Sequence, residues 1–167
     1  MKRVRLGRSG LMVSPLAIGT LTMSPLQKNL PPERGAEILL YAAEKGVNLF
    51  DTAQYYDTYE PLRLALKQRP DLLVSTKSYA YDRAGAEAAF EEARKALDMD
   101  VIPIFLMHEQ EDRLTLKGHR EAFDFYLEQK AKGKILAVGF STHRVAAVDY
   151  APRYPGVDVV FPLINVT

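Results

Sequence analysis

The sequence predicts an α/β fold in which parallel strands alternate with helices around a barrel-like sheet. Three observations carry this. From Glu33 onward, short apolar runs alternate with amphipathic helical segments, the pattern of βα units wound right-handed. The apolar runs are near-continuous, as parallel strands covered on both faces read. Finally, no Gly-x-Gly-x-x-Gly follows the first strand, and Gly7-Arg8-Ser9-Gly10 precedes no helix, which disfavours a doubly wound dinucleotide-binding sheet.

The elements follow in order. Residues 3–15, VRLGRSGLMVSPL, place turn residues Gly7 to Gly10 between two short alternating segments, so a β-hairpin is expected. Leu16 to Gly19 is a first strand and Thr20 to Ser24 its loop. Pro25 to Pro32 is a loop whose prolines suit the opening of a helix. Glu33 to Lys45 is helical, with Ala36, Leu39, Leu40 and Ala43 on one face and Gly46 as its stop. Strands are expected at Val47–Thr52, Leu72–Lys77, Val101–His108, Ile135–Ser141 and Val157–Asn165. Helices are expected at Glu60–Gln68, Gly85–Leu97, His119–Lys132 and Arg144–Tyr150. No helix or strand is assigned between His108 and His119.

The bulk numbers narrow the function classes. The chain has 167 residues, enough for one domain with a real core. Lys plus Arg is 22 and Asp plus Glu is 21, for a net charge of +1, so no strong field points to nucleic acid or to a membrane surface. No apolar run is long enough to span a bilayer. The basic opening MKRVRLGRSG has neither an apolar core nor a cleavage site and does not read as a signal peptide. With no cysteine, disulfides, thiolate metal ligands and iron–sulfur ligation are excluded within this chain, and a cytoplasmic location is expected.

The informative residues are the polar ones that end the apolar runs. Phe50 gives way to Asp51, Thr76 to Lys77, Met107 to His108, Phe140 to Ser141 and Ile164 to Asn165, each about one βα unit after the last. Parallel strands finish at one face, so these five side chains are expected to converge on the mouth where barrel folds build their chemistry. Asp51 beside Lys77 suggests a buried ion pair, since burying either charge alone is costly. Were Tyr56 to fold back towards Lys77, the cation would lower the phenol's pKa from about 10 and make it a usable proton donor. His108 could orient a substrate oxygen. Singly, each of these residues would read as a cap or loop residue; Asp, Lys and His at three successive strand ends favour the functional reading. His108-Glu109 lacks the second histidine of a zinc-hydrolase motif. Glu109, Glu111 and Asp112 could hold a divalent ion but read as a solvated loop.

These residues resemble the aldo-keto reductase family over nearly the whole chain. GRSGLMVSPLAIGTLTM looks like the family's hairpin and first strand, and GVNLFDTAQYY like its Gly-x-x-x-Phe-Asp-Thr-Ala signature, with the tyrosine five residues after the aspartate. That offset selects Tyr56 over Tyr55. VSTKSY carries the lysine, IFLMHEQ the histidine and GKILAVGFST the serine. The resemblance implies reduction of an aldehyde or ketone, or the reverse oxidation, with NADPH, NADH remaining open. It implies Tyr56 as general acid, Lys77 as the cation beside it, Asp51 as the lysine's partner and His108 as the substrate-orienting donor. Ser141, Thr142 and Asn165, with Gly19 and Thr20 at the first strand's end, would hold the cofactor. TMSPLQKNLPP and HEQEDRLTLKGH are similar in style to a bacterial subgroup that often carries a C-terminal iron–sulfur domain.

The chain also departs from that pattern. Ser141 is followed by Thr142 where the family has asparagine, Phe161 aligns with a carboxamide-binding glutamine, and Asp57 follows the tyrosine in place of glycine. A barrel of this type takes about 250 residues. The expectation is therefore a partial (β/α)8 TIM barrel of six strands with an N-terminal hairpin, a single domain lacking the last two βα units of a longer protein. Its open edges would invite association with a second copy. A small-molecule carbonyl compound is the expected substrate. The alternative is a non-catalytic cofactor-binding or regulatory module on the same scaffold, and a metal-dependent lyase or isomerase is a weaker third reading.

Overall fold

Period-two alternation along parallel strands decides which residues look into the sheet's concave side and which meet the helices. The computed structural model describes residues 1–164. An antiparallel hairpin, β1 (Val4–Arg5) and β2 (Met12–Val13), precedes a parallel sheet. The sheet runs β3 (Ala17–Gly19), β4 (Leu49–Asp51), β5 (Leu73–Ser78), β6 (Ile102–Met107), β7 (Ile135–Thr142) and β8 (Val159–Pro162), in chain order with every pair parallel. The six strands curl into a half-barrel, so the fold is a partial (β/α)8 TIM barrel. Among the described residues, β3 and β8 each pair with one neighbour only.

Helices cover the convex face: α1 (Pro32–Glu44), α2 (Tyr59–Gln68), α3 (Arg83–Leu97), α4 (Arg113–Gly118), α5 (Arg120–Ala131) and α6 (Val145–Tyr150). Their starts are written in local chemistry. Pro32 opens α1, where a missing N–H costs nothing. Asp82 caps α3 by accepting from Gly85 N at 2.8 Å. The main departure from expectation is α4, in a stretch to which the sequence reading assigns no element. Asp112 accepts from the N–H groups of Leu114 and Thr115, and Thr115 Oγ1 accepts from Asp112 N in return, a reciprocal cap on one short helix. His119 stands at the junction of α4 and α5, before the latter's first turn.

Two apolar layers result. The larger lies between strands and helices and contains Phe50, Val74, Phe90, Phe105, Phe123, Tyr126 and Phe140, all essentially inaccessible. The smaller fills the concave side: Ile104, Leu106 and Ala137 pack with Leu6 and Leu11 of the hairpin, Leu49 and Val159. The hairpin thus plugs the end of the half-barrel from which the strands start. That leaves the other end, where the strands finish, to polar side chains. Among the described residues no helix is long and apolar enough to cross a membrane.

Candidate active site

The same register that fills the concave side with Ile104 and Leu106 brings Asp51, Lys77, His108 and Ser141 onto it. Asp51 pairs with Ser75, Lys77 with Leu106, Leu106 with Gly139, and Ser141 with Phe161. Steps of two from Ser75 to Lys77, from Leu106 to His108 and from Gly139 to Ser141 keep one face. Asp51 is the last residue of β4, Lys77 is one before the end of β5, His108 lies just past β6, and Ser141 is one before the end of β7.

Lys77 is fully enclosed. Its ammonium donates to Asp51 Oδ2 at 2.6 Å and to the Thr52 carbonyl at 2.7 Å. Burial raises the Asp51 pKa against the pull of Lys77. Burial lowers that of Lys77 against the pull of Asp51. The ammonium also lies 5.3 Å from the ring centres of both Tyr56 and Phe161, so two aromatic faces flank the charge.

Tyr56 closes a single 3₁₀ turn, Gln54–Tyr56, after β4. Asp57 then takes a left-handed conformation (φ 53°), turning the chain back into α2. Thr58 ties this loop down. Its buried hydroxyl lies 2.6 Å from Thr20 Oγ1 and 2.8 Å from Thr52 Oγ1. The Tyr56 hydroxyl reaches His108 Nε2 at 3.4 Å, while Tyr55 points its ring elsewhere, stacked on Tyr79. The expected lowering of the Tyr56 pKa is not found. Burial pushes the phenol up, and the Asp51 and Glu109 carboxylates push it further the same way. Lys77 faces the phenol's ring, 5.3 Å from its centre, and is paired with Asp51, so its pull does not offset burial and the two carboxylates.

His108 is buried, and its pKa is pushed down to about 4 by burial and by Lys77. The imidazole is therefore neutral at physiological pH. Its Nδ1 has no hydrogen-bond partner among the described residues.

The expected cofactor residues divide. Ser141 Oγ accepts from Glu109 N at 2.9 Å, which leaves its own proton to donate. Thr142 Oγ1 is engaged with the backbone of Arg144, and the Thr20 hydroxyl with Thr58 and the Asp51 carbonyl. Gly19 ends β3 with open space where a side chain would be. Asn165 lies outside the described residues. The fit to a nicotinamide is thus partial: Ser141 offers a donor and Phe161 an apolar face. Among the described residues no three His, Asp or Glu side chains gather as a metal centre requires.

Two neighbours of the site escaped the sequence reading: Tyr79 stacks on His108, and Thr58 clamps the tyrosine loop. Phe161, aligned in sequence with a carboxamide-binding position, lies over Lys77. For Tyr79 a signal existed: it stands two residues after Lys77 on a strand and its extension, so the same face was predictable. For Thr58 nothing in the sequence marks a partner on β3.

Comparison with known proteins agrees with this architecture. The model described as "Aldo/keto reductase family" matches residues 15–166. Methylglyoxal reductase DkgA of Escherichia coli O157:H7 is 28% identical over 128 residues, covering 74% of this chain and 45% of that protein. A Pseudomonas aeruginosa structure assigned to the aldo-keto reductases superposes with a TM-score of 0.80 at 29% identity, over 90% of this chain and 63% of that one. A variant of Gox0644 in complex with NADPH superposes with a TM-score of 0.76 at 20% identity, over 99% of this chain and 59% of that one. The chain therefore spans about half the length of the curated relative and under two thirds of these solved chains.

Proposed function

The chain belongs to the aldo/keto reductase family, and on that premise we propose that it is the catalytic part of a nicotinamide-dependent reductase of aldehydes or ketones, with NADPH as cofactor. The observation that carries this reading is the meeting of four side chains from three strand ends and a loop: the Tyr56 hydroxyl beside neutral His108, and the Tyr56 ring facing a Lys77 ammonium held by Asp51. The NADPH-bound relative supports the choice of cofactor, and the methylglyoxal reductase supports a carbonyl substrate.

The chemistry that a nicotinamide would supply when bound is hydride for the carbonyl carbon. The protein's part is the proton and the geometry. His108 donates from Nε2 to the carbonyl oxygen and fixes its position. Tyr56 transfers its hydroxyl proton to the same oxygen as negative charge develops there. Lys77 stabilises the phenolate left behind, and Asp51 holds Lys77 in place. Ser141, whose hydroxyl proton is free to donate, would hold the ring's amide group. With Tyr56 raised in the free chain, the acid stays protonated across the whole neutral range, and its activation falls to the moment of proton transfer.

The test is NADPH oxidation against a panel of aldehydes, with Tyr56→Phe beside the parent protein. The substitution should reduce the rate by about 100-fold or more, the usual worth of a placed general acid. A rate within a few-fold of the parent would remove Tyr56 from this role. Phe161 favours a second reading, a cofactor-binding module without turnover, because it puts a ring where the family's pattern has an amide. Nicotinamide fluorescence titration distinguishes the two: tight binding with no carbonyl reduced would select the module.

A further inference from the structure

His108 is held in an unusual way. A histidine that works at one ring nitrogen is ordinarily fixed by a hydrogen bond at the other. Here Nδ1 is buried and has no partner among the described residues. A bare acceptor is less costly to bury than an orphaned N–H, so the proton belongs on Nε2, facing Tyr56. Among the described residues, the one polar contact of the ring's nitrogens is the long 3.4 Å approach to the Tyr56 hydroxyl. Orientation must therefore come from packing.

The packing is aromatic. The Tyr79 ring lies 4.3 Å from the imidazole centre and 27° from its plane, a stacked face. The Tyr56 ring meets the imidazole edge-on, at 5.7 Å and 71°. Tyr55 lies behind Tyr79, stacked at 5.8 Å and 16°. Three rings in series, Tyr55, Tyr79 and His108, thus form a slab beside the mouth. Tyr79 is 37% exposed and Tyr55 64%, so neither is needed to fill the core. Offset-stacked pairs are worth about 0.5–1.5 kcal/mol beyond area burial, enough to choose between two ring orientations.

We infer that Tyr79, backed by Tyr55, is a positioning residue: its ring face holds the His108 imidazole so that Nε2–H points at Tyr56 and at a bound carbonyl oxygen. This rests on the proposed reductase reading for its purpose, though not for its geometry. The stack does by contact what a second hydrogen bond does for most functional histidines. The phenol oxygen of Tyr79 is not required, because the restraint lies in the ring.

The test is nitrogen NMR of His108 in ¹⁵N-labelled protein at neutral pH, for the parent, Tyr79→Phe, Tyr79→Leu and Tyr55→Leu, alongside steady-state kinetics. The parent and Tyr79→Phe should show widely split Nδ1 and Nε2 resonances, the signature of a single Nε2–H form. Tyr79→Leu should draw the two resonances together and lower kcat about tenfold with KM changed less than threefold. Tyr55→Leu should give a smaller change of the same sign. A Tyr79→Leu protein with the parent's splitting would overturn the inference. The NMR readout needs no turnover. An absence of carbonyl reduction in the parent would therefore count against the reductase reading and leave the positioning role to be judged on the resonances.

Discussion

Lys77 Nζ lies 2.6 Å from Asp51 Oδ2, with the lysine side chain 2% exposed and the carboxylate 11%. Both groups have lost most of their hydration, which disfavours charge on each, and each draws the other towards its charged form. Removing one member leaves a buried charge without its counter-ion, which costs about 3–5 kcal/mol. Lys77→Met should therefore destabilise the fold by that order in urea unfolding. Lys77→Met with Asp51→Leu should recover most of the loss, because two matched apolar groups replace the pair. Equal destabilisation by the single and double variants would mean that the pair is not the source.

The neutral His108 makes a pH prediction. Its folded pKa of about 4 lies below the ordinary 6.5, so the unfolded chain binds a proton that the native chain refuses between those values. Stability contributed by this group is fully present above about pH 6.5 and is lost as pH falls towards 4, by up to about 3 kcal/mol. Subtracting the unfolding free energies of His108→Gln from those of the parent across that window should isolate the slope. Parallel pH curves for the two proteins would place the imidazole's titration elsewhere.

Much of this site was legible because strands simplify geometry. A polar residue ending an apolar run has only one end of a parallel sheet to occupy, so Asp51, Lys77, His108 and Ser141 could be brought together with no contact known. Helix limits were legible to within two or three residues wherever Pro or Gly punctuates the chain, as at Pro32 and Gly46. What stayed hidden depends on side-chain competition. The Asp51–Lys77 pair was legible, but the Tyr56 pKa was expected to fall because Lys77 is near, and no sequence pattern shows that burial and the Asp51 and Glu109 carboxylates outweigh that cation. Helix α4 was missed because its apolar periodicity is short, and its reciprocal Asp112–Thr115 cap outweighs that weakness. Phe161 over Lys77 depends on β8 following β7 in register, which no local pattern specifies.

On the proposed reductase reading, Thr58 should matter more to turnover than its distance from the Tyr56 hydroxyl suggests. Its hydroxyl joins the ends of β3 and β4 through Thr20 and Thr52, and the Thr52 carbonyl also receives Lys77. Thr58→Val keeps the shape but leaves two buried hydroxyls short of a partner, at about 1–3 kcal/mol. The loop that carries Tyr56 would loosen with it. Thermal unfolding should show the loss, kcat should fall more than KM rises, and Thr58→Ser should restore both. A valine variant with unchanged kcat would show that the clamp serves the fold alone.

Gly139 sets how closely β8 can approach β7. Any Cβ at this position would overlap the Val159 carbonyl oxygen, which is backbone and cannot rotate away. The two strands are paired from Gly139↔Val159 through Ser141↔Phe161 to Thr142↔Pro162, so a methyl group at the first pair strains the ladder at its start. Overpacking of this kind costs about 1–3 kcal/mol even where neighbours can yield. Gly139→Ala should meet or exceed the upper figure in urea unfolding. Amide exchange should show where the strain goes: the amides of β8 should lose protection before those of β5 and β6. As β8 moves off, the Phe161 ring leaves Lys77, so on the proposed reductase reading nicotinamide affinity should fall even where the fold survives. An alanine variant that keeps the parent's stability and its β8 protection would show that the sheet can open at this point without cost.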